Sequence, residues 1–358
     1  MKVAILGVGL IGGSIGLAAR NRADARVTGY DPDASVGDKA LALGAIDALA
    51  PDTASAVADA DVVFVAAPVG ALPDMVSEAL RSAGPQCVVS DVGSTKRTVA
   101  AAGADERFIG GHPLAGAETA GVENAREDLF EGATWYLTPA RGSTAGVLYE
   151  RLHGLLRRMG AQPRAIDAEL HDRLLACVSH LPHVLANLLA AQAQSTLGAG
   201  EQGRLPVVGP SFRDWARVAG ANSAIWTDIY ISNRDALGSC LDEFARRLQD
   251  VRATLQAGDR DAVTAWNEAA RASRDAVLGA GLAEGAVHEL RASVPNRPGV
   301  IAEIALALGR ADVNISDMAL SPSEDNRQGV VSLWIGGEEE AAQALELIAE
   351  LGIPVTCA

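Results

Sequence analysis

The first half of the chain alternates short, almost wholly apolar runs with longer stretches whose apolar residues recur at helical spacing. Residues 2–6 form the first apolar run, and an amphipathic stretch continues from it to about Arg20. Residues 26–30, 61–66, 86–90, 107–111, 135–139 and 161–166 read as further strands, with helices from about Leu72 and over residues 145–159. This alternation predicts an α/β unit with an open parallel sheet. From about Asp167 to about Leu282 the strand signal vanishes and only helical patterns remain. A hinge is expected at residues 279–285 (GAGLAEG), after which the pattern resets. Residues 287–294 alternate like a strand, 295–299 are a turn, 300–308 a helix and 313–318 a strand. A polar loop over 321–328, a strand over 330–335, a helix over 338–350 and a strand over 354–358 complete a βαββαβ order. The chain thus divides into an α/β domain (1–166), an all-helical domain (167–282) and a ferredoxin-like domain (286–358).

The turn after the first strand reads G-V-G-L-I-G, with glycines at Gly7, Gly9 and Gly12. Asp31 closes the second strand 19 residues beyond Gly12, near the roughly 20-residue offset of the dinucleotide-binding fingerprint. Gly7 permits the turn, Gly9 lets a pyrophosphate touch the backbone, and Gly12 lets the helix pack on the strand. The helix N-terminus, with Leu10 and Ile11 in its first turn, offers amide donors and a positive dipole end to phosphates. Asp31 would accept hydrogen bonds from the ribose hydroxyls and repel a 2′-phosphate, which selects NAD over NADP. Pro68, Ser94 and His112 fall on predicted carboxyl ends of strands, where open parallel sheets bind their ligands. The first domain is therefore read as a Rossmann-like NAD-binding domain.

Composition narrows the partners. A chain of 358 residues that is 49% hydrophobic has ample material for cores. Its net charge of −15 argues against a nucleic-acid partner, because phosphate backbones need a basic face. An anionic substrate must be held by a local arginine against this unfavourable field. Cys87, Cys177, Cys240 and Cys357 form no CxxC or zinc-type spacing, which fits buried thiols in a reducing cytoplasm. The apolar N-terminus lacks the basic region of a signal peptide. No segment is expected to reach the roughly 18 apolar residues of a membrane span, so no membrane partner is expected.

Four patches carry candidate chemistry. GGHPLAGAETAG, residues 110–121, reads as a loop because glycine and proline break regular elements. A histidine there exchanges a proton near neutral pH, so His112 is either a catalytic base or a turn residue. SHLPH, residues 179–183, sets His180 and His183 on one helix face. Nothing nearby completes a metal ligand set, which leaves core histidines or a substrate-facing pair. In SFRDWAR, residues 211–217, Asp214 and Arg217 are i and i+3 and can pair on a helix. An arginine so held still offers donors to a carboxylate, and the alternative is a solvated ion pair. Trp226, in NSAIWTDIY, is a core residue, a dimer-interface residue or a ligand wall. The apolar, alanine-rich helices of this domain are expected to bury a face in a partner subunit, giving a homodimer.

Two resemblances sharpen the expectations. Asn296-Arg297-Pro298-Gly299 before a helix, then Asp312-Val313-Asn314-Ile315, resembles an ACT domain, the small amino-acid-sensing module. The resemblance implies an effector site with Gly299, Asn314 and Ile315 as contacts, or a module that only dimerises. Residues 1–285 resemble the prephenate dehydrogenase family of tyrosine biosynthesis. The likeness rests on GVGLIGGS, DVGSTK, GGHPLAGAETAG, SHLPH, FRDWAR and the W-x-D-I at residues 226–229. It implies NAD-dependent oxidative decarboxylation of prephenate to 4-hydroxyphenylpyruvate, with an aromatic amino acid regulating through the ACT domain. It further implies that His112 accepts the 4-hydroxyl proton and that Ser94 orients both groups. Arg217 would hold a substrate carboxylate, with Asp214 fixing the guanidinium. His183 and His180 would face the substrate side chain beside Trp226, and Glu118 would stand at the pocket mouth. Ala216 stands where relatives usually carry threonine, and Thr227 where arginine is common, which bears on substrate geometry more than on reaction type.

Three other functions compete. An arogenate or dual-specificity cyclohexadienyl dehydrogenase differs only in taking an amine where prephenate has a keto group. A β-hydroxyacid dehydrogenase usually relies on a lysine in its helical domain, and no lysine follows Lys96 here. A non-catalytic amino-acid sensor does not need the intact glycines, Asp31, His112 and Arg217.

Overall fold

The computed structural model describes residues 1–102, 105–116, 119–140, 146–197, 208–280, 287–322 and 328–357. Its contacts divide the chain into two units, Met1–Leu248 and Gln249–Ala358. The first unit opens with β1 (Lys2–Leu6), α1 (Leu10–Ala23), β2 (Arg26–Tyr30), α2 (Ala34–Ala42), β3 (Ala48–Leu49) and α3 (Thr53–Val57). β4 (Val62–Val65), α4 (Leu72–Ser82), β5 (Val88–Asp91) and α5 (Arg97–Ala102) follow. The five strands form a parallel sheet in the order β3-β2-β1-β4-β5. Alternation along β1 builds two cores: Val3 and Ile5 face α1, while Ala4 and Leu6 face α3 and α4. A sheet buried on both faces has apolar strands throughout, which is why these runs were legible. The strand order reverses between β1 and β4, and the crevice outside their carboxyl ends is where such sheets take ligands.

A second sheet departs from the expected pattern. β6 (Gly110–Pro113), β7 (Thr134–Thr138) and β8 (Gln162–Ala165) pair in that order, β6 antiparallel to β7, with α6 (Val147–Arg158) before β8. Phe108 still bridges Val89 of the first sheet, so the predicted strand at residues 107–111 leaves one sheet and enters the other. The segment read as a loop therefore begins as a buried strand, and His112 lies within it, opposite Tyr136. Glycine is needed there for close packing rather than for turning. A Cβ on Gly111 would lie 2.5 Å from the Asp91 carbonyl oxygen, and one on Gly110 would lie 2.4 Å from Thr138 Oγ1.

The rest of the first unit is helical: α7 (Ala168–Leu175), α8 (Leu181–Leu197), α9 (Pro210–Ala216), α10 (Ser223–Ser232) and the start of α11 (Arg234–Ala257). One π-turn over Ala176–His180 joins α7 to α8 without a break. Pro182 supplies no N–H and its ring crowds the preceding turn, which a wider turn accommodates. The result corrects one expectation. The helix Ala168–Thr196 has 29 residues and is long and apolar enough to cross a membrane by length and composition. One side of it turns His171, Asp172, His180 and His183 into the protein, while Val178, Leu188 and Leu189 are exposed.

The second unit contains α12 (Arg260–Ala280), then β9 (Val287–Pro295), α13 (Val300–Arg310), β10 (Ile315–Pro322), β11 (Gln328–Gly336), α14 (Glu338–Glu350) and β12 (Val355–Cys357). The antiparallel sheet runs β10-β11-β9-β12, with Ile304, Leu308, Ala344 and Ile348 packed on Leu290, Val331 and Leu333. This is the predicted βαββαβ arrangement. Residues 281–286, most of the expected hinge, lie outside the described residues.

Gly111→Ala should lower stability by about 1–3 kcal/mol, the usual cost of overpacking. Chemical denaturation checks this, and a variant as stable as the parent would show that the strand can shift.

Candidate active site

The glycine turn after β1 is shaped for a phosphate ligand. Gly7 has φ +92°, and a Cβ there would lie 2.3 Å from the Ala66 carbonyl oxygen at the end of β4. A Cβ on Gly12 would lie 1.9 Å from the Gly7 carbonyl oxygen, so α1 sits directly on the turn. Gly9 has open space around its Cβ position and caps α1 with no side chain, leaving the amides of Leu10 and Ile11 at the helix N-terminus for a ligand. Asp31 accepts from the amides of Val8 and Asp33, each at 3.0 Å. It therefore holds the turn as well as standing where a ribose hydroxyl would lie. Pro68 is exposed and caps the short turn after β4. Asp228 of α10 accepts from Gly70 of that turn at 3.1 Å, tying the helical segment to the nucleotide crevice.

His112 is buried and joined to two residues the sequence reading did not pick out. Its Nδ1 lies 2.9 Å from His171 Nε2, and His171 Nδ1 lies 2.8 Å from Asp172 Oδ1. The carboxylate accepts, so His171 carries its proton on Nδ1 and presents a lone pair on Nε2. His112 must then donate from Nδ1, which leaves its Nε2 as a free lone pair. Burial, aided by His171, Lys96 and His180, holds the His112 pKa well below its ordinary value. The ring is neutral at pH 7 and able to accept a proton. Burial pushes Asp172 up, but the His171 N–H and the amides of Arg97 and Lys96 outweigh it and hold Asp172 ionised. The partner of His112 Nδ1 is thus His171 rather than Ser94, which is half-buried on the neighbouring loop. A His-Asp pair at a helix start looks like an ordinary polar face in the sequence; only the packing turns it inward.

Beneath His112 lies a buried ion pair, Lys96 with Asp91. Asp91 also accepts from the Gly93 amide at 2.8 Å and the Gly111 amide at 3.1 Å, while Lys96 donates to the Gly111 carbonyl at 2.6 Å. The pair grips both sides of the residue preceding the histidine. Asp91 and Lys96 are the two ends of DVGSTK, and no local pattern in the sequence pairs them.

Other predicted residues of the first unit form an aromatic and histidine cluster. His180 accepts at Nδ1 from Asn233, 3.1 Å away, and Asn233 also donates to the Asp172 carbonyl at 2.8 Å. His183 stacks on Trp226 with ring centroids 3.6 Å apart. Trp226 meets His180 edge-on at 6.1 Å. Asp214 and Arg217 are exposed, and Arg217 opens the short turn beyond α9 whose Val218 carbonyl faces His183. Glu118 lies outside the described residues. Gly299 has φ +91° ahead of α13, and Asn314 and Ile315 lead into β10. Among the described residues, no group of three or more His, Cys, Asp or Glu side chains converges as a metal site.

A nucleotide crevice beside an imidazole relay defines a nucleotide-dependent enzyme of the dehydrogenase class. Residues 15–163 match the family described as "Prephenate dehydrogenase, nucleotide-binding domain", residues 167–268 its "dimerization domain", and residues 288–352 the "ACT domain". The prephenate dehydrogenase of Bacillus subtilis (strain 168) is 32% identical over 97% of this chain and 96% of its own. A cyclohexadienyl dehydrogenase of Zymomonas mobilis is 32% identical over 72% of this chain and 90% of its own. The crystal structure of A. aeolicus prephenate dehydrogenase with hydroxyphenyl propionate and NAD+ is similar at TM-score 0.70 and 26% identity, covering 77% of this chain and 98% of that one. The chain belongs to the prephenate dehydrogenase family.

Two measurements test the site. His180 has its pKa lowered by burial to about 4, and His112 is lowered too. Unfolded histidines ionise near 6.5. Below that pH the unfolded chain gains protons that the folded one refuses, so stability falls with pH, by at most about 1.4 kcal/mol per pH unit for each such group. Denaturation midpoints should drop from about pH 7 to about pH 5, and drop less in His180→Asn; an equal drop refutes the assignment. Lys96→Met should cost about 3–5 kcal/mol by leaving Asp91 buried and unpaired. The double variant with Asp91→Asn should cost less than the sum of the two single changes.

Proposed function

We propose that the chain oxidises prephenate with NAD, releasing CO₂ and leaving 4-hydroxyphenylpyruvate. The observation that carries this is the buried relay Asp172–His171–His112, which ends in a neutral acceptor beside the crevice. The turn at Gly7, Gly9 and Gly12, the first amides of α1 and Asp31 fit the pyrophosphate and ribose of NAD. When bound there, NAD supplies a hydride acceptor. His112 Nε2 takes the 4-hydroxyl proton as the ring carbon loses hydride. The imidazolium so formed is stabilised by donating its Nδ1–H to His171 Nε2, while His171 donates its own Nδ1–H to the Asp172 carboxylate. Ser94 stands on the loop beside His112 and orients the hydroxyl. Arg217, with Asp214 beside it, holds a substrate carboxylate against the acidic field of the whole protein, and Glu118 flanks the entrance. Loss of the ring carboxylate as CO₂ makes the ring aromatic and drives the reaction.

The chain acts as a cytoplasmic homodimer without a membrane partner. Val178, Leu188 and Leu189 are exposed apolar residues on the long helix, a face that a second copy would cover. Domains at 1–166, 167–282 and 286–358 divide the tasks of cofactor binding, substrate binding with dimerisation, and regulation. An aromatic amino acid binding near Gly299, Asn314 and Ile315 adjusts activity.

His112→Asn should lose about 10²–10⁴ in turnover, the usual worth of a general base, while still binding NAD. Steady-state assay of NAD reduction with prephenate, beside NAD titration, checks this. Turnover near the parent rate would reject the base assignment.

A further inference from the structure

His183 has one occupied edge and one open edge. The Tyr230 hydroxyl is bonded to its Nδ1, and Asn187 Nδ2 approaches the same Nδ1 at 3.4 Å and the Tyr230 oxygen at 3.5 Å. An amide nitrogen can only donate. Nδ1 is therefore an acceptor, and the tyrosine, receiving from Asn187, donates its own proton to the ring. A neutral imidazole that accepts at Nδ1 carries its proton on Nε2. That Nε2 is buried with no hydrogen-bond partner, in a side chain only 4% exposed. The Val218 carbonyl lies near the ring and favours its protonated form without completing a bond to Nε2, and burial outweighs it, so the ring stays neutral. Stacking on Trp226 prevents the ring from tilting away. The ring belongs to the same array as the relay: Trp226, on which it stacks, meets His180 edge-on, and Asn233 ties His180 to Asp172.

We propose that Tyr230 and Asn187 are positioning residues that lock the proton of His183 onto Nε2, so that the site selects a substrate whose side chain presents a keto oxygen over one presenting an ammonium. This rests on the reading of the site as that of a prephenate-oxidising enzyme. A buried N–H without an acceptor is costly, and a keto oxygen relieves that cost. An ammonium offers only further donors, so both groups would be left unsatisfied. Sites built on such a bond reject analogues lacking the matching group by up to about 10⁴-fold or more. A single N–H on a stacked ring should give a preference of about tenfold or more.

The test combines two readouts on the full-length, NAD-bound enzyme. Nitrogen NMR of the imidazoles, assigned against His183→Gln, should show His183 protonated on Nε2. NAD reduction should give a kcat/KM ratio of prephenate to arogenate of about ten or more. Asn187→Asp puts an acceptor beside Nδ1, draws the proton there and leaves a lone pair on Nε2 for an ammonium. It should shift the ratio toward arogenate by about tenfold, chiefly through KM, with Tyr230→Phe shifting it less. A His183 protonated on Nδ1 in the parent, or a ratio unmoved by both substitutions, overturns the proposal. If Asn187→Asp does not fold, Tyr230→Phe and the parent spectrum decide the matter. Failure to oxidise either substrate would instead reject the proposed function, and the tautomer would still be read from the spectrum.

Discussion

Lys96 and Asp91 sit inside the first unit with side chains 1% and 0% exposed, and the geometry of the site starts from them. Two charges removed from water gain nothing unless each finds partners enough to replace its hydration. Asp91 meets this with the amides of Gly93 and Gly111, and Lys96 with the Gly111 carbonyl. The same bonds fix the strand that presents His112. Glycine at 111 follows directly, because the backbone must come within reach of both charges. The pair thus sets where the imidazole is, while burial, with lesser help from His171 and Lys96, keeps it uncharged.

The long helix from Ala168 supplies what the α/β domain lacks. His171 and Asp172 complete the relay, and the Asp172 carboxylate caps the start of α5 through the amides of Lys96 and Arg97. Asn233 closes the circuit from Asp172 to His180. Most of these bonds run between residues far apart in sequence, and they leave Asn233 Oδ1 and His183 Nε2 without a partner. Such networks specify a single arrangement only when nearly every member is satisfied. His183 Nε2 is one of the members left open.

How much of this was legible in the sequence follows from the range of each signal. The glycine turn, Asp31 and the apolar strands are local patterns, and the first sheet and the βαββαβ order were readable from them. His112 and SHLPH stood out because histidine is rare in this chain and their neighbours are glycine or proline. The second sheet was not legible: Gly110 and Gly111 look like turn residues, and only the side chains of Thr138 and Trp135 and the Asp91 carbonyl explain them. His171, Asp172, Asn233, Tyr230 and Asn187 were missed for one reason. Each looks like a polar residue on a helix face, and no local pattern says which face turns inward. The apolar length of the helix over Ala168–Thr196 was not legible for a related reason, since the polar residues that interrupt it hid how apolar the remainder is.

Burying so many histidines gives up stability below neutral pH in exchange for a site that works near it. A neutral imidazole in a dry site is a better proton acceptor for an alcohol than one already charged, but the unfolded chain can always take the proton that the folded site refuses. The acidic surface does not repair this, because His112, His180 and His183 are buried away from it. The arrangement is therefore coherent only for a protein that works near neutral pH and that needs His112 uncharged at the moment substrate arrives. Burial alone lowers the value of any enclosed histidine, as it does at His112, His180 and His183; what sets His112 apart is the bonded chain through His171 to Asp172, which fixes its proton on Nδ1 and leaves Nε2 as the acceptor.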